Sequence, residues 1–246
     1  MSERTKIYFA SDFHLGAPDF AKSRARELKI IKWLDEIKID AKSIYLVGDI
    51  FDFWFEYKKV VPKGFVRLLG KLAELTDSGI EIHLSVGNHD MWMKDYLSEE
   101  VGIQIHFDNH ILTTGNTKIF IGHGDGYGNG DYTYKILKKV FRSQTCHWLF
   151  SRIHPNLALS LAHHWSLKSR AKGDDSGFIS NEKEILVDYC KQQQKITPVD
   201  YYIFGHRHLP LEIQIDKQSK YINLGDWLQH YTYAVFSNGA IALKTY

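Results

Sequence analysis

Five short polar clusters, each directly after a short apolar run, constrain the fold of this chain more than any other feature of its sequence. Apolar, partly β-branched runs of this length predict buried strands, so each cluster is expected at a strand end. The clusters are Asp12-Phe13-His14, Gly48-Asp49-Ile50-Phe51-Asp52, Gly87-Asn88-His89-Asp90, Gly122-His123-Gly124-Asp125 and Gly205-His206-Arg207-His208.

The first half of the chain alternates strand-like and helix-like patterns. Three apolar runs, at 6–11, 43–48 and 80–87, predict buried strands. Between them, the segments 23–38 and 65–75 carry apolar residues at a spacing near three, which predicts amphipathic helices packed on a sheet. This alternation indicates an α/β layered sheet, in which ligand sites lie beyond the carboxyl ends of the strands. The polar clusters are therefore the candidate functional residues.

The second half is richer in strands. Runs at 118–121, 201–204, 211–215, 221–224, 231–236 and 240–246 predict strands, and few helices separate the last four, which predicts an antiparallel sheet completing an α/β sandwich. From Asp131 to Asp174 the pattern is helical, in two segments separated by Pro155. The length suits a single domain, residues 1–246, with a helical cap insertion at about 127–175.

The clusters offer carboxylates, imidazoles and an amide, but no thiolate. Such ligands suit Mn, Fe or Zn, and the preceding glycines permit sharp turns. A lone Asp-x-His is usually a turn or capping pair, and a lone His-x-His only places two imidazoles on one strand face. Five clusters in order, each after a strand, favour a catalytic metal centre, because independent structural explanations would have to coincide five times.

In this order the clusters resemble those of the calcineurin-like metallophosphoesterase superfamily. The resemblance implies a four-layer α/β/β/α sandwich and a hydrolase with two divalent metal ions, most simply Mn, with Fe or Zn as alternatives. It implies a water or hydroxide between the ions as the nucleophile of an in-line displacement. The implied ligands are Asp12, His14 and His208 for one ion, Asn88, His123 and His206 for the other, and Asp49 as the bridge.

His89 follows the implied ligand Asn88 and is expected to face the phosphate, where it stabilises the transition state or protonates the leaving oxygen. Asp52 is predicted to orient His89 and to favour its protonated form, which suits a general acid. A solvated turn residue is the alternative interpretation of Asp52. The histidines that match no cluster are predicted to be structural or on the surface: His83, His106, His110, His147, His154 and His230.

Within the superfamily the chain resembles the UDP-2,3-diacylglucosamine hydrolases of the lipid A pathway. The resemblance lies in DFHLG at 12–16, GDIFDFW at 48–54 and a helical insertion after the fourth cluster. It implies cleavage of the diphosphate of UDP-2,3-diacylglucosamine to UMP and lipid X, 2,3-diacylglucosamine 1-phosphate. Those enzymes carry Arg where this chain has His89, so a related phosphoesterase acting on another nucleotide, nucleic acid or lipid substrate stays open.

The predicted cap concentrates positive charge. From Tyr132 to Gly173 there are eight Lys and Arg and no Asp or Glu, so the chain's net charge of +2 would be −6 without them. Apolar residues are interleaved, which suits an anionic lipid substrate and the inner-membrane cytoplasmic leaflet. An ordinary helical hairpin with a solvated basic face is the alternative. Asn88, Asp131, Arg170 and Lys172 are the candidate substrate-binding residues.

The sequence predicts a cytoplasmic protein, peripherally associated with the inner membrane. The N-terminal MSERTKIYFASDFH lacks the pattern of a secretory signal, and no uncharged apolar stretch reaches the roughly 20 residues that span a bilayer. Two cysteines, Cys146 and Cys190, are too few for a disulfide framework.

Two rival functions stay open. A nuclease could use the same metals and track phosphates with a basic cap, although the balanced net charge does not favour nucleic acid as a partner. A non-catalytic scaffold, like the phosphoesterase-like retromer subunit, would have this fold without the chemistry. All seven implied ligand positions carry ligand-competent residues, which argues against the scaffold.

Overall fold

The structure is a computed structural model that describes residues 4–127, 132–162, 166 and 185–246, without the side chains of 132–134 and 137. The strands of the described residues are β1 Lys6–Ala10, β2 Ala41–Val47, β3 Glu81–Ser85, β4 Gln104–His106, β5 His110–Thr114, β6 Thr117–Ile121, β7 Tyr201–Phe204, β8 Pro210–Gln214, β9 Lys220–Leu224, β10 Thr232–Ser237 and β11 Ala240–Thr245. The helices are α1 Phe20–Ile37, α2 Val66–Asp77, α3 Tyr96–Val101, α4 Tyr132–Phe141, α5 Gln144–Phe150 and α6 Ile185–Ile196.

Two mixed sheets pack face to face. The first has the order β11-β10-β1-β2-β3-β4, and the second has the order β5-β6-β7-β9-β8. In the first sheet β1 to β4 run parallel, with Leu46 of β2 between Ala10 and Leu84. In the second sheet β6, β7 and β9 run parallel, and β5 and β8 are antiparallel edges. Each sheet thus has a parallel centre whose carboxyl ends can present polar side chains.

Three apolar layers hold the sandwich together. Between the sheets, Phe9 and Val47 of the first sheet pack against Ile121 and Ile203 of the second. Helices α1, α2 and α3 cover the outer face of the first sheet, with Trp33 of α1 fully buried. Helix α6 covers the outer face of the second sheet through a smaller cluster. The order helix, sheet, sheet, helix confirms the predicted four-layer α/β/β/α sandwich.

The last four strands form two antiparallel pairs, β8 with β9 and β10 with β11, but the pairs belong to different sheets instead of one antiparallel sheet. Strand β9 runs parallel to β7, so the centre of the second sheet is parallel. Strands β10 and β11 return to the first sheet, where β10 runs antiparallel to β1 with Tyr8 opposite Val235. The error comes from placing four consecutive strands in one sheet, because the chain passes from the second sheet to the first between β9 and β10.

The helical segment after the fourth cluster also breaks differently from the prediction. The first break falls at Ser143, whose Oγ accepts from the N–H of Cys146 and caps α5. The second break, at 151–154, falls directly before Pro155 as predicted, and Pro155 begins a further helical run at 155–162. A proline at the first helical position has no N–H to satisfy and a φ suited to the helix. Among the described residues, no helix is long and apolar enough to cross a membrane.

Candidate metal centre and its two cavities

The backbone after three strands is held in a conformation that L-residues rarely adopt. Asp12, His14, Asp49, His206 and His208 have φ between 42° and 67°. Each such residue costs free energy, so the conformation persists only where the surroundings impose it, and residues of this kind cluster at functional sites. The turns after β1, β2 and β7 therefore place five polar side chains at one edge of the sandwich at the expense of local backbone stability.

Two glycines allow these turns to approach one another. A Cβ added at Gly87 would collide with the carboxylate of Asp49, and one added at Gly205 would collide with the carboxylate of Asp12. Both positions therefore require glycine for close approach. The sequence analysis likewise took the cluster glycines as positions that permit sharp turns close to a site.

Three groups of side chains come close enough to hold a metal ion, with ligand atoms within 4.8 Å of one another in each group. One group combines Asp12, His14 and His208, and another combines Asp49, His123 and His206. The third joins Asp49 to His14 and His89. Asp49 therefore belongs to two of the groups, and its Oδ2 lies 3.8 Å from Nε2 of His14 in the remaining group, which is where a bridging carboxylate would be.

The remaining implied ligand, Asn88, lies at the His123 side of this arrangement. Its Oδ1 is 3.2 Å from Nε2 of His123. The other nitrogen of His123, Nδ1, is 2.9 Å from the backbone carbonyl of Val47, to which it donates. That hydrogen bond fixes the tautomer and leaves Nε2 as the atom able to bind a metal. All seven predicted ligands are thus brought together at one edge.

Backbone N–H groups hold the two central carboxylates in place. The N–H of His206 donates to Oδ2 of Asp12 at 2.9 Å, and the N–H of His89 donates to Oδ1 of Asp49 at 2.8 Å. Each bond connects residues far apart in the chain. The carboxylates are therefore oriented by strands other than their own, which makes the site a product of the whole fold.

The cluster also fits a cation by its charge. Burial alone would raise the pKa of Asp12, but the imidazoles of His208 and His14 outweigh burial and hold that pKa well below its usual value. Burial alone would lower the pKa of His14, yet the carboxylates of Asp12 and Asp52 raise it to about 9. Nε2 of His14 faces Nε2 of His208 at 3.0 Å, and such a pair shares at most one proton. The clustered carboxylates are thus stabilised by positive charge, which protonated imidazoles supply here and which metal ions could supply instead. The donor set therefore fits metal ions.

His89 lies beside this cluster, and its ring contacts Asp52. Nδ1 of His89 is 2.9 Å from the backbone carbonyl of Asp52 and 3.8 Å from its carboxylate. The carboxylate instead accepts from Oγ of Ser166 at 2.9 Å and lies 3.6 Å from Nδ1 of His14. Asp52 is buried, which excludes a solvated turn residue. Burial lowers the pKa of His89, and Asp49 and Asp52 offset this only in part, contrary to the expected preference for the protonated form.

Two buried carboxylates at the site were not assigned a role from the sequence. Asp90 accepts from the N–H groups of Gly87 and Ile50, both at 2.8 Å, and so ties the second cluster to the third. Burial, with Asp49 nearby, raises the pKa of Asp90 to about 7. Asp226 caps the turn after β9 and lies 3.6 Å from Nδ1 of His208. Gly225-Asp226 after β9 repeats the pattern of Gly48-Asp49 after β2, a signal that could have revealed it.

Two cavities of similar size flank the centre. One, of about 290 Å³, lies between His89 and the helical segment and is lined mainly by apolar side chains, several of them aromatic. The other, of about 300 Å³, lies beside His123 and is lined mainly by polar side chains. Lys138 of α4 borders both. The aromatic cavity is bordered by Phe53, Trp54, Asn88, His89, Met91, Trp92, Phe141 and Phe150.

The basic residues of the helical segment divide into two kinds. Nζ of Lys138 is 2.6 Å from the carboxylate of Asp125, and Arg142 donates to the carbonyl of Phe107 at 3.0 Å. Both side chains thus contact the sandwich, although Arg142 is exposed, as Lys139 is. Three candidate substrate-binding residues, Asp131, Arg170 and Lys172, lie outside the described residues.

A two-sheet sandwich with Asp, His and Asn gathered at its strand ends has the architecture of a metal-dependent hydrolase. The family model for calcineurin-like phosphoesterases matches residues 5–210. The chain therefore belongs to the calcineurin-like phosphoesterase family.

Individual proteins give a narrower likeness. A UDP-2,3-diacylglucosamine hydrolase of Porphyromonas gingivalis is 38% identical over 98% of both chains. Another, from Histophilus somni, is 24% identical over 90% of this chain and 92% of that protein. Among solved structures, the phosphoesterase Yfce from E. coli is 13% identical with a TM-score of 0.49, covering 98% of this chain and 93% of its own, a likeness that by itself supports no assignment.

Proposed function

We propose that this protein hydrolyses the diphosphate of UDP-2,3-diacylglucosamine, releasing UMP and 2,3-diacylglucosamine 1-phosphate. The observation that carries the proposal is the aromatic-lined cavity of about 290 Å³ beside Asn88 and His89, at the edge of the candidate metal centre. An acyl chain needs an apolar cavity close to the reacting phosphate, and this cavity offers one. The 38% identity with the Porphyromonas gingivalis enzyme over nearly all of both chains supports the same substrate.

In this proposal two divalent metal ions, Mn in the first instance, occupy the strand ends. Asp12, His14 and His208 would hold one ion, Asn88, His123 and His206 the other, and Asp49 both. When bound, the ions supply an activated water and neutralise charge on the phosphoryl oxygens. Fe or Zn would suit the same ligands, since these three metals share this ligand chemistry.

The side chains around the ions position the substrate and handle its protons. His89 faces the aromatic cavity, where its Nε2 would contact a phosphoryl or leaving oxygen while Nδ1 is held by the carbonyl of Asp52. We assign His89 to stabilising the leaving oxygen, and Asp52 to holding the ring of His89. Asn88, Asp131, Arg170 and Lys172 would complete the contacts to the sugar and phosphates.

The helical segment would act as a cap that meets both lipid and membrane, as an insertion at about 127–175 within a single domain, residues 1–246. Six of the fifteen exposed large hydrophobic side chains of the described residues lie in this segment: Ile136, Val140, Trp148, Leu149, Leu157 and Leu161. Exposed apolar side chains next to Lys139 suit peripheral binding to an anionic leaflet. We propose a cytoplasmic protein associated peripherally with the inner membrane.

One experiment tests the function directly. Purified protein with Mn²⁺ is incubated separately with UDP-2,3-diacylglucosamine, UDP-glucose, a dinucleotide and a single-stranded oligonucleotide, and the products are separated. We expect UMP and the lipid monophosphate from the first substrate at a rate far above the others. Preferred cleavage of the oligonucleotide would make the protein a nuclease, and no cleavage of any substrate by metal-loaded protein would favour a scaffold.

A further inference from the structure

The polar cavity beside His123 has no part in the proposal above. Its wall is formed by the loop before β5, by the turn after β6 and by side chains from α4 and α6, with His123 on the side of the metal centre. Its volume of about 300 Å³ lies at the small end of the range for ligand pockets, roughly 300 to 1,000 Å³. His123 borders this cavity, whereas Asn88 and His89 border the aromatic cavity, and Lys138 borders both.

The charges of this cavity are already paired with one another. Lys138 forms an ion pair with Asp125 at 2.6 Å. The guanidinium of Arg142 donates to the carbonyl of Phe107 and lies 3.8 Å from the carboxylate of Asp108. Because each cation faces a carboxylate of the same wall, the cavity offers no excess positive charge for a second phosphate. It suits a ligand that is polar but uncharged.

A fixed pair of hydrogen-bonding side chains lies inside the cavity. The amide nitrogen of Asn109 donates to the hydroxyl of Tyr127. A Cβ on Gly122 would collide with the amide oxygen of Asn109, so the glycine at that position is what leaves room for the amide. Because the hydroxyl of Tyr127 accepts this bond, its own hydrogen is left to be donated. Burial raises the pKa of Tyr127, so the phenol keeps that hydrogen at neutral pH.

Aromatic rings complete the wall. Tyr127 packs against Tyr189 of α6 with ring centroids 4.4 Å apart. Phe107 also borders the cavity, and 48% of it is exposed, although it is a large apolar residue. An accessible ring next to an oriented amide and a phenolic donor is the combination by which proteins bind a planar heterocycle, through stacking on one face and hydrogen bonds at the edge.

We propose that the polar cavity binds the uridine of the substrate, with Tyr127 and Asn109 donating hydrogen bonds to the carbonyl oxygens of uracil. This inference rests on the proposed function, whose substrate has an acylated sugar at one end of a diphosphate and a neutral nucleoside at the other. The two cavities match those ends in polarity. The diphosphate then crosses the metal centre beside Lys138, and the cavity sets specificity for the nucleotide.

Binding of two small phosphates to Mn²⁺-loaded protein tests this inference by calorimetry. UMP and ribose 5-phosphate share the phosphate and the ribose, but only UMP has the base. Wild-type protein should bind UMP at least about tenfold more tightly than ribose 5-phosphate. Tyr127→Phe and Asn109→Leu should each weaken UMP binding about 3- to 10-fold, the effect of one lost hydrogen bond, and leave ribose 5-phosphate binding unchanged. The matched control is Tyr246→Phe, which removes a phenol bonded to Glu36 instead.

Each result decides for or against the cavity. Equal affinities of the wild-type protein for UMP and ribose 5-phosphate would overturn the inference, as would equal weakening of both ligands by Tyr127→Phe. Hydrolysis of UDP-2,3-diacylglucosamine is measured on the same preparations. If that lipid is cleaved without any preference for UMP, the uridine site is wrong and the proposed function stands. If the preference depends on Tyr127 and Asn109 but the lipid is not cleaved, the nucleoside site stands and the lipid substrate is wrong.

Discussion

At the sheet edge, Asp12, His14 and Asp49 are almost inaccessible to solvent, whereas on the helical segment above them Trp148 and Leu149 are more than half exposed. Hydrogen bonds from distant strands orient the edge carboxylates. The helices of the segment instead leave apolar side chains uncovered. The difference indicates that the fold alone fixes the chemistry at the edge, while the described part of the helical segment leaves apolar surface that the proposed membrane contact would bury.

The largest expected effect tests the edge. Asp49→Ala removes the carboxylate shared by two candidate ligand groups, so metal content should fall and hydrolysis should drop about a thousand-fold or more, because the metals contribute several kcal/mol of transition-state stabilisation. Metal content is measured by mass spectrometry and the rate with UDP-2,3-diacylglucosamine. The control is Asp200→Ala, which removes a carboxylate away from the candidate ligand groups that accepts a hydrogen bond from the N–H of Lys118. Full activity of Asp49→Ala would refute the two-metal centre.

His89→Ala should keep both metals and slow turnover about 100- to 10,000-fold, the range for a positioned acid or base. The alanine leaves the backbone N–H that donates to Asp49 in place. Rates and metal content are compared with His154→Ala, which changes an exposed histidine of the helical segment. Loss of metal would instead make His89 a ligand, as its place in the third ligand group allows.

The cap is tested by Leu149→Ser with Leu157→Ser. Each change removes apolar surface worth about 1 to 2 kcal/mol when buried, so binding to anionic vesicles should weaken at least about 30-fold. Cleavage of a small soluble phosphodiester should stay the same, because neither residue borders the aromatic cavity. Val66→Ser with Ile196→Ser is the matched control, since both are exposed but lie on α2 and α6. Equal loss of vesicle binding in the control would remove the contrast between cap and sandwich.

The smallest expected effect concerns three stacked histidines in the sandwich, His83, His106 and His110, which pack beside Tyr45. Burial lowers the pKa of His110 to about 4, and the neighbouring His106 and His83 contribute to this shift. The acidic group that faces the stack is Glu81, whose carboxylate lies 4.0 Å from Nε2 of His83. Since His110 binds a proton more readily in the unfolded chain than in the folded one, the free energy of unfolding should fall as the pH drops from about 6.5 towards 4.

His110→Phe keeps a stacked ring that cannot take a proton. The fall in Tm between pH 7.5 and pH 5.0 should therefore be smaller in this variant by about 2 to 4 °C, which corresponds to about 1 kcal/mol in a chain of this size. The Leu149→Ser, Leu157→Ser protein should show the wild-type dependence, because its changes lie in the cap. Identical dependence of His110→Phe and wild type would show that the histidine stack does not titrate in this range.

The sequence anticipated the strands that are long and apolar, and the polar clusters that follow them. It missed β4 and β5, whose polar residues, such as Gln104 and His110, look like loop and are strands only because a neighbouring strand pairs with them. It also misplaced β10 and β11, because nothing local to these strands says which sheet they join. Pairing partners are decided by long-range packing and not by the composition of a strand.

The site shows the same division. The seven candidate ligands could be named because the five polar clusters that follow strands resemble, in their order, those of the calcineurin-like phosphoesterases. The roles of Asp90 and Asp226 could not be predicted, because each depends on contacts with residues far away in the chain. Asp90 accepts from the N–H of Ile50, and Asp226 lies beside His208. The orientation of His89 by a carbonyl of Asp52, instead of by its carboxylate, likewise depends on side-chain packing that includes Ser166.

The return of β10 to the side of β1 in the first sheet limits how early in synthesis this fold can be completed. Strand β1 emerges from the ribosome among the first residues, yet its partner on one side, Ala234 opposite Phe9, comes more than two hundred residues later. Until then β1 has an open edge, and His206 and His208 have also only just appeared. Because chains grow at roughly 5 to 20 residues per second, the nascent chain waits on the order of ten seconds or more before the ligand set is complete. The complete ligand set therefore cannot bind metal ions before His208 has been synthesised.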